Sequence, residues 1–153
     1  MDHTYFMKEA IKEAERGIKK GQTPFGAVIV NKKTGKIIAK AHNTVIKDND
    51  PSAHAEINAI RKASKKMKSI HLSDCIIYST CEPCPMCFSA IHWAGIKEIY
   101  FGANISDAKA LGFREMEIPN KTMNCLIGNE IKIKQICKKE ANKMMQKWKG
   151  NPY

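Results

Sequence analysis

Apolar residues in the first part of the chain fall into one helical and two extended segments. Residues 4–20 predict an amphipathic helix, because apolar side chains recur every three or four positions at Met7, Ala10, Ile11, Ala14 and Ile18. Residues 25–30 are almost entirely apolar, which is typical of a strand buried on both faces. Polar turn residues separate this segment from residues 37–42, so the two extended segments predict a β-hairpin.

Segments of strand and helix character alternate along the rest of the chain. After a polar, irregular stretch from Asn43 to Pro51, we predict a helix over residues 53–67 with His54 in its first turn. We predict further strands over residues 75–80, 97–102 and 130–136. We predict further helices over residues 84–94 and 137–148. Residues 103–118 are predicted to be irregular to weakly helical. This order predicts an α/β fold, a three-layer α/β/α sandwich around one mixed five-stranded sheet.

The length of the chain suits one domain with its own hydrophobic core, so we expect a single domain over residues 1–153. No apolar run approaches the roughly 20 residues that are needed to span a bilayer. The first nine residues lack a basic start followed by an apolar stretch. We therefore expect no signal peptide and a cytoplasmic protein with reduced cysteines.

The formal net charge of +11 raises the question of a nucleic-acid partner. The cations are nearly all lysines, and the only arginines are Arg16, Arg61 and Arg114. Base and phosphate recognition favours arginine, and the lysines are scattered over the predicted helices. The charge pattern therefore favours a solvated surface over a nucleic-acid-binding face.

Two short motifs carry the candidate chemistry. His54 and Glu56 form the pattern H-x-E at the start of one predicted helix. Cys84 and Cys87 form the pattern P-C-x-x-C at the start of the helix that follows the third strand. In this order the two patterns are the signature of zinc-dependent nucleobase deaminases. Two helix starts that face one another would bring the three ligand side chains together.

The residue types of these motifs indicate a catalytic rather than a structural zinc site. One imidazole and two thiolates, from His54, Cys84 and Cys87, leave the fourth tetrahedral position open. Helix N-termini lower the pKa of thiols, so both cysteines are placed to ionise and bind metal. Glu56 is not needed as a ligand and stands where a general base for zinc-bound water is expected.

Other interpretations of the cysteines account for less of the sequence. A disulfide scaffold does not suit a chain without a secretion signal. An iron–sulfur run that begins at Cys81 would need a fourth cysteine where Ile91 stands. A redox dithiol would leave His54 and Glu56 unexplained. A structural zinc site would need Cys81 as its fourth protein ligand.

With both motifs present, the chain resembles the cytidine deaminase-like superfamily and, within it, the small bacterial guanine deaminases. The resemblance covers most of the chain and is strongest in residues 23–30, 49–56 and 81–87. The related tRNA adenosine deaminases usually have a leucine-type residue where Cys81 stands, and they usually carry more arginine. Arg114 departs from the guanine deaminases, which more often have a second acidic residue beside the one that Glu115 resembles.

The resemblance implies a cytidine deaminase-like fold, one zinc ion per subunit, and hydrolysis of guanine to xanthine and ammonia. It implies a homodimer that exchanges the C-terminal segment, about residues 130–153, so that Tyr153 closes the partner's site. Glu56 is the implied catalytic proton carrier. The resemblance also implies a set of substrate-binding residues. Glu115 and Asn43 hydrogen-bond the purine, and Phe25 and Trp93 sandwich it. The backbone amides of Ala55 and Cys84 hold the substrate as well.

Two other functions stay open at this point. A tRNA adenosine deaminase would gain from the positive charge and would need a flipped or single-stranded base. A non-enzymatic zinc or dithiol module would bind metal without an open coordination position. The leading hypothesis predicts a small purine base as the substrate, with a nucleic-acid partner less favoured and no membrane association.

Overall fold

Five strands form one mixed sheet in the computed structural model, which describes residues 1–153. The strands are β1 (Gly26–Asn31), β2 (Ile37–His42), β3 (Cys75–Cys81), β4 (Glu98–Ala103) and β5 (Lys132–Gln135). Their order across the sheet is β2-β1-β3-β4-β5. β1 is antiparallel to β2 and β3, whereas β4 is parallel to both β3 and β5. The predicted mixed five-stranded sheet is therefore confirmed.

Seven helices surround the sheet and complete the three layers. They are α1 (His3–Lys19), α2 (Val45–Asp48), α3 (Ala55–Met67), α4 (Pro85–Trp93), α5 (Ile105–Ala110), α6 (Asn120–Leu126) and α7 (Lys138–Lys147). Helices α1 and α7 pack on one face of the sheet, and α3 and α4 pack on the other. None of the helices combines the length and the apolar character that crossing a membrane would require.

Strand β1 contributes side chains to the apolar cores on both faces of the sheet. Val28 packs with Met7 of α1 on one face, and Ile29 packs with Ala59 of α3 on the other. The strand is buried along nearly its whole length. Burial on both faces explains why its sequence is a continuous apolar run rather than an alternating one.

Gly26 at the start of β1 lets α1 approach the sheet closely. A Cβ atom at this position would lie 2.3 Å from the carbonyl oxygen of Ala10 and 2.6 Å from the backbone nitrogen of Ala14. Both neighbours are backbone atoms, so no side-chain movement would relieve the overlap. The Gly26 amide donates a hydrogen bond to Thr80 Oγ1 at 3.1 Å, which ties the start of β1 to the end of β3.

Two helices lie outside the predicted elements. The stretch from Asn43 to Pro51, predicted to be irregular, contains the single turn α2, and the sequence pattern predicts no element at α6. Both helices are short and lack an apolar repeat, and side-chain hydrogen bonds hold them instead. Thr44 Oγ1 donates to Asp48 across α2 at 2.6 Å. The other predicted helices and strands begin and end within two residues of the observed ones.

Candidate active site

The predicted metal ligands His54 and Cys84 are the N-cap residues of α3 and α4. Their backbones are extended, with φ −68° and ψ 158° at His54 and φ −64° and ψ 167° at Cys84. The His54 carbonyl accepts the first helical hydrogen bond from the Asn58 amide at 2.9 Å, and the Cys84 carbonyl does the same for Phe88 at 2.8 Å. The prediction that His54 lies in the first turn of its helix is therefore wrong by one residue.

The three ligand atoms have the spacing that a tetrahedral zinc ion requires. His54 Nδ1 lies 3.6 Å from Sγ of Cys84 and 3.6 Å from Sγ of Cys87, and all three atoms lie within 4.8 Å of one another. Zinc bonds of about 2.3 Å to sulfur and about 2.0–2.1 Å to nitrogen would separate the two kinds of atom by about 3.6 Å. Cys81 does not join the group, because its thiol donates to the Asn104 carbonyl at 3.5 Å.

The two thiols of the metal site differ in how readily they ionise. Interaction with the Cys87 thiol and with the His54 ring lowers the pKa of Cys84 to about 4, against the opposing effect of burial. The same contact with Cys84, together with burial, raises the pKa of Cys87 well above its usual range. A bound dication would ionise both thiols, so the donor set suits zinc.

Glu56, the predicted catalytic residue, is a buried carboxylate beside the metal ligands. Ser79 Oγ on β3 donates to its Oε1 at 2.7 Å, and Cys87 Sγ lies 3.3 Å from its Oε2. Burial is the main cause that raises the pKa of Glu56, and the Cys84 thiolate adds to it. A carboxyl group with a raised pKa can both accept and return a proton near neutral pH.

A cavity of about 250 Å³ opens onto Glu56 and two of the metal ligands, His54 and Cys84. Four of the predicted substrate-binding residues line it, namely Phe25, Asn43, Glu115 and Tyr153. Ala55 is buried as the first residue of α3, where its N–H is one of the helix donors without an intrahelical acceptor. The other lining residues are Pro51, His54, Glu56, Cys81, Glu82, Cys84, Phe113 and Arg114.

Tyr153 closes one side of the cavity over Asn43. Its hydroxyl accepts a hydrogen bond from Asn43 Nδ2 at 2.9 Å and lies 3.2 Å from Thr23 Oγ1. Its ring meets the ring of Phe113 edge-on, with centroids 5.6 Å apart. The Val45 amide donates to Asn43 Oδ1 at 3.0 Å and fixes the orientation of the Asn43 side chain. The tail thus reaches the cavity of its own chain, and the exchange between subunits stays a prediction.

Trp93 does not line the cavity of its own chain, so the expectation that it sandwiches the base with Phe25 stays a prediction. It is the last residue of α4, and 82% of it is exposed. The buried face of α4 carries Phe88 and Ile91, and Trp93 is two residues, or about 200° of rotation, beyond Ile91. The ring that meets Phe25 is Phe113, which packs edge-on with centroids 5.1 Å apart.

Glu82, whose position before Cys84 suggests a helix-start carboxylate more simply than a proton relay, joins the starts of two other helices. Its Oε1 accepts from the N–H of Asn120, the first residue of α6, at 2.8 Å. Its Oε2 accepts from the N–H of Ile105, the first residue of α5, at 3.4 Å. Asn120 Nδ2 also donates to the Pro83 carbonyl at 2.6 Å. These bonds fix the loop before Cys84. The sequence did not indicate that the helix starts held by Glu82 are those of α5 and α6.

Glu115 is a cavity carboxylate whose charge is not compensated by a hydrogen bond from the protein. Burial and the nearby Cys84 thiolate raise its pKa, and no hydrogen bond opposes them. Arg114 lines the same cavity. Burial raises the pKa of the Cys81 thiol well above its usual range, so this part of the wall is neutral. The cavity therefore offers a carboxylate that is available to a ligand.

A buried carboxylate beside one imidazole and two thiolates is the site of a zinc-dependent deaminase. Residues 1–103 match the family model for the cytidine and deoxycytidylate deaminase zinc-binding region, and this range contains His54, Glu56, Cys84 and Cys87. The chain therefore belongs to this family, as the resemblance of its motifs predicted, and it is a deaminase-type hydrolase.

Among curated relatives the chain is similar to guanine deaminase of Bacillus subtilis (strain 168), with 50% identity over 114 residues that cover 74% of this chain and 72% of the relative. It is also similar to the tRNA-specific adenosine deaminase of Aquifex aeolicus (strain VF5), with 45% identity over 103 residues that cover 67% of each chain. Both classes of deaminase are thus represented among its relatives.

Two solved structures of guanine deaminases share this fold. The enzyme from Nitrosomonas europaea superimposes with a TM-score of 0.86 at 27% identity, over 94% of this chain and 82% of that one. The enzyme from Bacillus subtilis superimposes with a TM-score of 0.71 at 48% identity, over 75% of this chain and 73% of that one. The predicted cytidine deaminase-like fold is confirmed.

Proposed function

We propose that this enzyme hydrolyses guanine to xanthine and ammonia, with one zinc ion per subunit. The observation that carries the proposal is the covered cavity, in which Tyr153 bonds to Asn43 at 2.9 Å beside a space of about 250 Å³. A free base suits such a cover, whereas a base within an RNA chain would bring its ribose and phosphates to the same place. The similarity to two bacterial guanine deaminases supports the proposal.

Glu56 is the group that moves protons in the proposed reaction. Zinc held by His54, Cys84 and Cys87 would supply a Lewis acid that lowers the pKa of water toward neutrality. Glu56 accepts one proton as the water oxygen bonds to the purine carbon that carries the amine, and it returns this proton to the ring nitrogen. It then carries the second water proton to the amine, the carbon–nitrogen bond breaks, and ammonia leaves as the carbonyl forms.

The cavity wall supplies groups that can orient the purine ring. The available carboxylate of Glu115 suits the ring N–H groups of guanine as a hydrogen-bond acceptor. We assign Asn43 to a hydrogen bond with the base, Phe25 to packing against the ring, and the Ala55 amide to a ring or carbonyl acceptor. Tyr153 would exclude water by covering the bound base.

The active unit in this proposal is a homodimer that exchanges its C-terminal segment, about residues 130–153. The 82% exposed indole of Trp93 lies outside the cavity of its own chain, so a role in sandwiching the base would require it to enter the site of a second subunit. Mixing two inactive variants tests the exchange. In a mixed dimer, a Glu56→Ala subunit with an intact tail would complete the site of a subunit that lacks residues 151–153. Dimers that form without any regained activity would show that each tail serves its own chain.

We further propose that the enzyme works in the cytoplasm. All six cysteines are free thiols, which suits a reducing compartment. The metal site depends on reduced Cys84 and Cys87, so oxidation of this pair would remove zinc. Tracking a tagged protein between cell fractions would test the assignment, and recovery outside the cytoplasmic fraction would contradict it.

Ammonia release from guanine by the purified, zinc-loaded protein tests the proposed reaction, with adenine, cytosine, cytidine and tRNA measured beside it. Glu56→Ala is expected to lower turnover by about 10²–10⁴-fold and to retain zinc. Glu117→Ala removes an exposed carboxylate of the same type and serves as the matched control. No turnover of guanine by the zinc-loaded wild-type protein would overturn the proposal.

A second candidate function is deamination of adenosine in tRNA. The net charge of +11 and the 45% identity to a tRNA-specific adenosine deaminase favour it. It predicts inosine formation in tRNA and binding that weakens steeply as salt is added. If the enzyme deaminated adenosine in tRNA and did not turn over guanine, this function would replace the leading proposal.

A further inference from the structure

A second cavity, of about 400 Å³, lies behind the segment that carries Asn43. It is lined by nine residues, none of them hydrophobic, and we call it the basic cavity. Its wall includes Thr44 and Lys47 from the segment around α2, and Lys20 from the end of α1. Asn43 faces the active-site cavity and Thr44 faces the basic cavity, so one strip of chain separates the two spaces.

The charge of this wall is strongly unbalanced. Four cationic side chains, Lys20, Lys47, Arg61 and Lys62, face a single carboxylate, Asp48. Asp48 already accepts a hydrogen bond from Thr44 Oγ1 at 2.6 Å. The three lysines form no salt bridge, and Arg61 has only a loose one, at 3.9 Å from Asp50. Four cations around one concavity repel one another, and a bound anion would relieve that repulsion.

Several lysines elsewhere in the chain have a carboxylate partner, whereas Lys62 of the basic cavity donates only to a backbone carbonyl, that of Lys40, at 3.1 Å. Lys12 lies 2.7 Å from Glu9, Lys33 lies 3.0 Å from Asp74, and Lys97 lies 2.8 Å from Glu130. Carboxylates are thus available on the surface of this basic protein, yet they do not accompany the lysines of the basic cavity. Lysines such as Lys139 and Lys143 on α7 also lack a carboxylate partner, so what distinguishes the basic cavity is that four cations share one concavity, which focuses their field.

The polar wall is held in place by hydrogen bonds beneath the cations. Asn58 Nδ2 donates to the His42 carbonyl at 3.0 Å and lies 2.9 Å from Thr44 Oγ1. His42 Nδ1 lies 2.9 Å from the buried carboxylate of Glu13. These bonds tie α1, β2 and α3 together around the cavity, so its shape does not depend on the lysine side chains alone.

We propose that the basic cavity binds a phosphate group, either as free inorganic phosphate or on a small phosphate monoester such as a nucleotide. Phosphate carries about two negative charges near neutral pH and accepts several hydrogen bonds, which matches converging lysine and guanidinium donors. The absence of hydrophobic lining residues disfavours an apolar ligand. The site is separate from the metal centre and does not depend on which base the enzyme deaminates.

Isothermal titration calorimetry with inorganic phosphate, at fixed ionic strength set with chloride, tests the site directly. The test variant is Lys20→Gln/Lys47→Gln, which removes two exposed cations whose side chains form no hydrogen bond or salt bridge. The matched control is Lys139→Gln/Lys143→Gln on α7, which removes the same charge away from the cavity. We expect saturable binding by the wild-type protein, at least about tenfold weaker binding by the test variant, and unchanged binding by the control.

Two further ligands distinguish the possible sources of the phosphate group. A nucleoside monophosphate that competes with inorganic phosphate would support a monoester site, and phosphate that binds alone would support a free-ion site. Equal weakening in the test and control variants would overturn the proposal, since it would reflect general surface charge. Binding of a short single-stranded RNA without any binding of phosphate or nucleotide would also overturn it, in favour of a nucleic-acid docking surface. Melting curves of both variants would establish that they are folded.

Discussion

His54 and Cys84 adopt the same extended backbone conformation at equivalent positions of two helices, and their ligand atoms meet at 3.6 Å. Each is an N-cap residue, so its side chain leaves the helix start toward the neighbouring helix start. The partial positive charge at two helix N-termini favours thiolates at the point where they converge. The metal site is therefore built from two copies of one local structure, to which Cys87 adds a third ligand from the first turn of α4.

Removal of zinc is expected to lower the stability of the protein, because the three ligands would leave two thiols and an imidazole close together without a cation. At a free zinc concentration of about 100 times Kd, binding contributes about 2.7 kcal/mol. Thermal unfolding with added zinc and with a chelator measures this difference. His54→Ala should unfold at the same temperature in both solutions. If the melting temperature of the wild-type protein were the same with zinc and with the chelator, His54, Cys84 and Cys87 would not be zinc ligands.

Loss of the Ser79 hydroxyl is expected to slow turnover and leave the metal in place. Its hydrogen bond to Glu56 lowers the pKa of that carboxyl group, so Ser79→Ala should raise this pKa further. Because the base must be ionised to accept a proton, the acid limb of the kcat profile should move to higher pH. We expect kcat to fall by about 10–100-fold.

Ser89→Ala is the matched control for this variant. Ser89 lies on α4 and donates to the Pro85 carbonyl at 2.8 Å, outside the cavity. Its loss should leave both kcat and the pH profile unchanged. A Ser79→Ala enzyme that keeps the wild-type profile would mean that Glu56 is positioned without this bond.

Removal of residues 151–153 is expected to lower kcat strongly while zinc stays bound. The reason is that the tail contacts the cavity wall but not the metal ligands. The milder change Tyr153→Phe removes only the contacts of the hydroxyl with Asn43 and Thr23. It should lower kcat/KM by roughly three- to tenfold, the size of one hydrogen bond. Tyr5→Phe, at an exposed position of α1, is the control. A truncated enzyme of full activity would show that the tail has no part in catalysis.

Glu82→Gln is expected to destabilise the fold by about 1–3 kcal/mol. A glutamine has one acceptor oxygen, so its amide group would face the N–H of Asn120 or of Ile105. Urea unfolding at neutral pH measures the loss. Glu130→Gln, at an exposed ion pair with Lys97, should change stability little. Equal stability of the two variants would mean that α5 and α6 are held by packing alone.

Glu9 gives the stability of the protein a defined pH dependence. Hydrogen bonds from Lys12 and Lys40 lower its pKa from the ordinary value of 4.5, so its contribution is complete above that value and is lost as pH falls through the lowered pKa. Glu9→Gln should therefore cost about 1 kcal/mol at neutral pH, and the difference should vanish in acid. Urea unfolding of both proteins across this range measures it. A difference that persists below the lowered pKa would show that the side chain acts through packing.

The metal site could be predicted from sequence because its chemistry lies within two short segments. His54, Glu56, Cys84 and Cys87 are identified by residue type and spacing, and local backbone structure is enough to aim them at one point. Trp93 shows where this reasoning stops. Nearly every residue of α4 is apolar, so the sequence does not say which face is buried, and only the docking of the helix on the sheet decides it.

Helix α6 and the basic cavity depend on contacts that no local pattern encodes. The first turn of α6 is held by Glu82 from a distant segment, and Asn124 on its far side bonds to the Ile131 backbone at 2.7 and 3.0 Å. The lysines of the basic cavity come from three separate segments and look like ordinary surface residues in sequence. Their convergence appears only when α1, α2 and α3 are brought together.

The central position of β3 also sets when the metal site can form. His54 precedes this strand and Cys84 follows it. Strand β3 also pairs with β1, and paired residues such as Val28 and Tyr78 are 50 positions apart in the sequence. We expect the ligands to meet only after long-range strand pairing, which is the slow part of folding for such a topology. We expect zinc to prolong the lifetime of the native state and to leave the folding rate almost unchanged, because its binding energy is gained after the transition state.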